Sequence, residues 1–209
     1  MWLILFCSII SVAVFFERLS HYHRATIRVG ELLRGLSNLI QRRSFAEALH
    51  ECAGTPGPAA RVMHAAIIRH GAPRTELKEI VQEAGQLEVP KLERNLPILS
   101  TIAYVTPLIG LLGTVTGLIE CFVTLSAQSG YASSTDISRG IYQALLTTAA
   151  GLVVAIPSAV AYSYLSARVN SLIHDMERAG IEITNLITER RDGAEIIDFD
   201  APRRSVPVE

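Results

Sequence analysis

Two sets of residues set in otherwise apolar stretches could bind something. Thr106, Gly110, Gly113, Thr114, Gly117 and Cys121 follow helical spacing, while the opposite positions, Leu108, Leu111, Leu112, Val115, Leu118 and Ile119, are bulky. The second set is clearer. Gly140, Gln143, Ala144, Thr147, Thr148, Gly151, Ala155, Ser158 and Tyr162 share one side of a predicted helix, and Leu146, Ala149, Val153, Ile156 and Val160 share the other. Hydroxyls and an amide placed this way can hydrogen-bond their own backbone, a neighbouring helix, or water in a cavity. Gly113 and Gly117 form a G-x-x-x-G pair that admits a close helix neighbour, and Gly110 and Gly151 add to the same small surfaces. No nucleophile–base pair, metal cluster or phosphate loop accompanies them, so neither an enzyme, a cofactor nor a metal is expected.

The missing groups matter as much. Between Ile141 and Leu165 there is no carboxylate, lysine or arginine, and Glu120 lies toward the outer end of its segment, within reach of the interface. An ion path through a membrane needs a group that binds and releases the ion. A proton path here would therefore borrow its titrating group from another chain. Pro107 and Pro157 each remove a backbone donor, freeing a carbonyl that favours protein-lined or wet surroundings.

The elements that must position these residues follow from hydropathy. Hydrophobic residues make up 49% of the 209, and they concentrate in three blocks, 1–16, 98–127 and 141–165. Crossing about 30 Å of hydrocarbon takes roughly 20 helical residues, so the last two blocks are long enough to span. The first is a little short, but it has no basic start and no small-residue cleavage site, and a retained helix suits it better than a signal peptide. The expected fold is an all-α integral membrane protein with three transmembrane helices and helical cytoplasmic extensions. Arg and Lys crowd segment 17–97, whereas 128–140 holds only Arg139. By the positive-inside rule, 17–97 and the tail are cytoplasmic, 128–140 is periplasmic, the N-terminus is out and the C-terminus in. Basic and acidic residues alternate, which excludes a nucleic-acid surface.

Segment 17–97 reads as helices separated by turns. Ser44 and Glu47 predict a capping box, Thr55-Pro56-Gly57-Pro58 a stop, Gly71 the end of a helix over 59–70, and Pro73 the first turn of the next. That helix, with Leu77, Ile80, Val81 and Ala84 on one side, is expected to run on with kinks at Pro90 and Pro97. Beyond the third span, Leu165, Val169, Leu172, Met176, Ala179, Ile183 and Leu186 form a heptad seam, predicting a helical extension over 166–191 that packs on other helices. Residues 192–209 read as disordered. Cys7, Cys52 and Cys121 have no paired spacing.

The run Leu92-Glu93-Arg94-Asn95-Leu96-Pro97, then Ile102-Ala103-Tyr104-Val105-Thr106-Pro107-Leu108-Ile109-Gly110-Leu111-Leu112-Gly113-Thr114-Val115-Thr116-Gly117, and the run from Gly140 through Gln143, Thr147 and Thr148 to Pro157 resemble the MotA/TolQ/ExbB proton-channel family, nearest its ExbB/TolQ branch. The resemblance implies a homopentamer in the bacterial inner membrane. Its second and third helices would enclose the single spanning helices of an ExbD- or TolR-like partner, whose aspartate carries the proton. It implies that Thr114 and Thr148 face that aspartate, with Thr147 and Gln143 on the same ion path. It further implies that the assembly uses proton-motive force to energise TonB-dependent outer-membrane transport, or, as a TolQ-like subunit working with a TolA-like protein, envelope maintenance. Some ExbB proteins carry glutamate where this chain has Gln143, which can hydrogen-bond but cannot relay charge by titration. The competing expectation is a passive scaffold whose small faces serve helix packing alone.

Overall fold

A computed structural model describes residues 2–25, 29–127 and 134–199. They form α1 (Trp2–Ala25), α2 (Val29–Gln41), α3 (Phe45–Gly54), α4 (Pro58–Ile68), α5 (Arg74–Glu93), α6 (Leu96–Ala127) and α7 (Ser134–Phe199), with no strand among the described residues. Three of these helices are long and apolar enough to cross a membrane, over Trp2–His23, Leu96–Ser126 and within Ile137–Arg191. The chain divides into two compact units, one of 1–22 and 93–168, the other of 23–92 and 169–209.

In the second unit, amphipathic helices bury their apolar stripes together. Leu32, Leu33, Leu36 and Ile40 of α2, Ala48 and Cys52 of α3, and Val62, Met63, Ala66 and Ile67 of α4 are buried. The heptad seam of α7 meets this unit, with Val169, Leu172, Met176, Ala179 and Ile183 all buried. Each such aliphatic side chain removed from water stabilises the unit by about 1.5–3 kcal/mol. At Gly180 a Cβ would collide with the Val81 side chain and touch Val62, so α7 approaches α4 and α5 there only because the residue is glycine. Arg74 donates to the Asn185 side chain at 2.9 Å and Arg191 to the Ala72 carbonyl at 3.0 Å, fixing the start of α5 against α7. Burial, and then the Glu51 charge, push the Cys52 thiol up to about 11, which makes it an inert core residue.

Several expectations need correction. Ser44 occupies the N-cap of α3, yet its side chain makes no capping hydrogen bond, so the Ser44–Glu47 box does not form. The helix expected over 59–70 runs Pro58–Ile68, capped at Arg69 before Gly71 is reached, and Pro73 precedes α5. Pro97 does not kink a continuous helix. α5 passes through Pro90 and stops at Glu93, Asn95 takes a left-handed conformation with φ 65°, and Pro97 falls in the first turn of α6, where a missing amide costs nothing. α1 does not end with the apolar block at Phe16 but continues to Ala25, because charged residues end a hydrophobic stretch without ending a helix. Likewise α7 begins at Ser134, inside the predicted 128–140 connection, and extends to Phe199, so 192–199 of the predicted disordered tail is helical. Residues 128–133 and 200–209 lie outside the described residues.

Glu88 shows what a buried charge contributes in this unit. Burial opposes its ionisation, but hydrogen bonds from Arg61 at 2.5 Å and Lys91 at 2.7 Å outweigh it and hold the carboxyl below the usual carboxylate range. A depressed pKa means that the stabilisation is complete above the unfolded value, about 4.3, and is lost as pH falls through the folded one. Glu88→Gln is therefore expected to cost about 1–2 kcal/mol at pH 7, read as a lower unfolding temperature of the full chain in detergent, and the gap from wild type should close below about pH 4.

Candidate ion-path site on the α6–α7 hairpin

The first unit brings together the two small faces read from sequence. Thr106 and Gly110 of α6 are buried and Gly113, Thr114, Gly117 and Cys121 half-buried, whereas Leu108, Leu111, Leu112, Val115, Leu118 and Ile119 are exposed. In α7, Ala144, Gly151, Ala155 and Ser158 are buried, with Val153, Ile156 and Val160 exposed. The small faces meet each other. A Cβ built on Gly151 would lie 2.7 Å from the Thr106 carbonyl oxygen; on Gly110, 3.0 Å from Thr148 Cα; on Gly117, 3.0 Å from Ala144 Cβ; on Gly140, 3.2 Å from Cys121 Cβ. The first distance leaves no room for a side chain and the others are tighter than ordinary side-chain packing, so the glycines set the separation of the two antiparallel helices.

Close approach allows a hydrogen bond between the helices. Thr148 Oγ1 donates to the Gly110 carbonyl at 2.9 Å. The other hydroxyls spend their hydrogens within their own helix: Thr106 on Ile102, Thr114 on the Leu111 carbonyl at 2.6 Å, and Thr147 on the Ala144 carbonyl at 2.7 Å. Every threonine of the predicted path thus presents lone pairs, not a free hydrogen. Ser158 donates to Val154 at 2.8 Å and so receives its 2.7 Å bond from Ser11, pinning α1 to α7 through a buried pair.

The predicted path residues do not share one surface. Gln143 and Thr147 line a cleft of about 410 Å³ beside the glycine seam, together with Thr116, Glu120, Thr124 and Arg139. Thr114 and Thr148 are absent from that lining. In helical register they follow Gly113 and Thr147 by one residue, about 100° around each helix, on the other flank of the seam. Pro107 and Pro157 sit inside α6 and α7 without ending them, Pro107 half-buried and Pro157 exposed. Sequence reasoning missed Ser11, a lone hydroxyl in an apolar block, and Thr116, Thr124 and Arg139. Their signal was the four-residue spacing with Glu120 on α6 and with Gln143 on α7. Among the described residues no group of His, Cys, Asp and Glu is arranged to hold a metal ion.

Residues 39–178 match the description of the MotA/TolQ/ExbB proton channel family. The chain belongs to that family. Among similar proteins, the Tol-Pal system protein TolQ of Haemophilus influenzae is 40% identical over 106 residues, 51% of this chain and 46% of that protein. The ExbB-like 3 biopolymer transport protein of Synechocystis is 33% identical over 150 residues, 71% of each chain. The biopolymer transport protein ExbB of Salmonella typhimurium is 26% identical over 219 residues, 98% of this chain and 84% of that one. The chain thus spans about half the length of the Haemophilus relative. ExbB and TolQ names both occur among the relatives.

The glycine seam has a direct test. Gly151→Ala places a methyl group against backbone and should cost about 1–3 kcal/mol, lowering the unfolding temperature of the full chain in detergent. Gly85→Ala, where nothing lies within 4 Å of the added Cβ, should cause no loss.

Proposed function

We propose that this chain is the channel-forming subunit of an ExbB/TolQ-type motor in the bacterial inner membrane, with its N-terminus out and C-terminus in. Five copies enclose the spanning helices of a small ExbD- or TolR-like partner, whose aspartate carries the proton. The observation that supports this best is a hairpin rich in hydroxyls whose α7 span, from Ile141 to Leu165, contains no acid. The committed hydrogens of Thr114 and Thr148 add a chemical preference. Oxygens that only accept stabilise a protonated carboxylic acid, which donates to them, over a carboxylate, which needs donors. A partner aspartate would rest against these threonines when neutral and be driven off when it loses its proton. Proton transfer and movement of the partner would then be one event. Each proton crossing about 100 mV releases about 2.3 kcal/mol, so several must be coupled to pull on an envelope-spanning protein of the TonB or TolA kind.

The exposed bulky faces of α6 and α7 then meet lipid or neighbouring subunits. Energising TonB-dependent transport is the leading role. A TolQ-like role in envelope maintenance is the second reading, favoured by the 40% identity to a TolQ protein. A passive scaffold would explain the glycines but leaves the ladder of hydroxyls without a purpose.

The test is made in cells expressing the full chain with its single-span partner. Thr148→Val is expected to reduce protonophore-sensitive uptake or envelope integrity at least tenfold with normal assembly, and Thr148→Ser to retain most of it. Activity that ignores protonophores in wild type, or survives Thr148→Val undiminished, contradicts the proposal.

A further inference from the structure

The cleft beside the glycine seam holds more than the two predicted path residues. Thr116, Glu120 and Thr124 succeed one another at four-residue intervals on α6, and Arg139, Gln143 and Thr147 do so on α7. Because the helices run antiparallel, Thr116 lies roughly opposite Thr147, Glu120 opposite Gln143, and Thr124 opposite Arg139. The track covers about 12 Å of helix, from the outer end of the span toward its middle.

Its chemistry is one-sided. The Thr116 hydrogen is shared between the Leu112 and Gly113 carbonyls at 3.0 and 3.1 Å, that of Thr124 goes to the Glu120 backbone carbonyl at 2.9 Å, and that of Thr147 to the Ala144 carbonyl at 2.7 Å. The hydroxyls therefore offer lone pairs to the cleft, beside the side chains of Glu120 and Gln143. On the Thr116–Thr147 and Glu120–Gln143 rungs acceptors and the one carboxylate predominate, a set that solvates a cation, while the donors are the Gln143 NH2 and, on the outermost rung, Arg139. Glu120 is the only charged residue of α6. The other charged group on the cleft walls is Arg139, on the outermost rung, and the other titratable one is Cys121.

We infer that this cleft is the outer half of the ion path and that Glu120 is its cation-collecting group, concentrating hydronium or sodium at the mouth and passing it inward along Gln143 and Thr147. This rests on the channel reading proposed above and adds a charged residue that the chain itself supplies. A fixed negative charge at a narrow mouth raises the local cation concentration, which matters most when the ion is scarce in bulk. The Arg139 guanidinium acts in the opposite sense, so the two charges make predictions of opposite sign.

The experiment uses the full chain with its single-span partner in liposomes, with protons driven in by an imposed membrane potential and read by trapped pyranine at external pH 5 to 8. Glu120→Gln is expected to slow proton entry about tenfold at pH 8 and to converge on wild type at pH 5, where protons are about a thousandfold more abundant. Glu120→Asp should stay within about twofold of wild type, and Arg139→Gln should equal or exceed it. Repeating the pH 8 measurement with external sodium identifies the cation: competition by sodium extends the site to both ions, and its absence assigns the site to hydronium. Equal entry in wild type and Glu120→Gln, or an equal loss in Glu120→Gln, Glu120→Asp and Arg139→Gln, overturns the inference and leaves the channel standing. Wild-type liposomes that admit no protons overturn both.

Discussion

The arrangement of the first unit depends on backbone meeting backbone at Gly151, Gly110 and Thr106. The Thr106 carbonyl lies 2.7 Å from where a Gly151 Cβ would be, which is closer than any side chain permits. Apolar side chains gain little by leaving lipid for one another, so helices in a membrane associate through close contact and hydrogen bonds. Glycine supplies the first, and the Thr148–Gly110 bond supplies the second. Once the seam is closed, the positions of the remaining polar groups follow from helical register alone.

Two flanks result, and they differ in chemistry. Thr114 and Thr148 stand on one side of the seam with no charged neighbour on the hairpin itself. Glu120, Gln143, Thr147 and Arg139 stand on the other, around a cleft. In the proposed channel, a single hairpin would present a neutral surface of threonine oxygens to a partner helix and a charged track to the outside solution. Gly113, Gly117 and Gly140 line the cleft as well as the seam, and Thr148 supplies the hydrogen bond between the helices, so packing groups and polar groups share the same stretch of α6 and α7.

Much of this was legible in the chain. The stripe from Thr106 to Cys121 and the stripe from Gly140 to Tyr162 are long, strictly periodic and flanked by bulky apolar positions, so a single physical signal places them on one face. The heptad seam from Leu165 to Leu186 was readable for the same reason; it is buried as far as Ile183, and Leu186 is half-buried. What was not legible depends on which of several partners a group selects. The Thr148 hydroxyl could reach water, its own helix or α6, and only the interhelical distance decides. Ser44 had the sequence of a capping box, but its backbone geometry, with ψ 58°, leaves the side chain without a capping bond. Helix ends were misplaced where hydropathy changes but helix propensity does not, as at Glu17-Arg18 and beyond Arg191. Glu120 was read as an interfacial charge and is exposed, while the cleft that it borders is a feature that periodicity does not show.

The central claim is that the two small faces pack against each other within one chain. The native Cys121 offers the most direct measurement, since the Cβ of a residue at 140 would lie 3.2 Å from the Cys121 Cβ, so that an opening of a few tenths of an ångström brings the pair into the range of a disulfide. With Cys7 and Cys52 replaced by alanine, Gly140→Cys should form a disulfide with Cys121 in native membranes under mild oxidation. The product is expected to be a monomer of shifted mobility that reductant reverses. Disulfides found only between chains, or none at all with both thiols intact, would contradict the account.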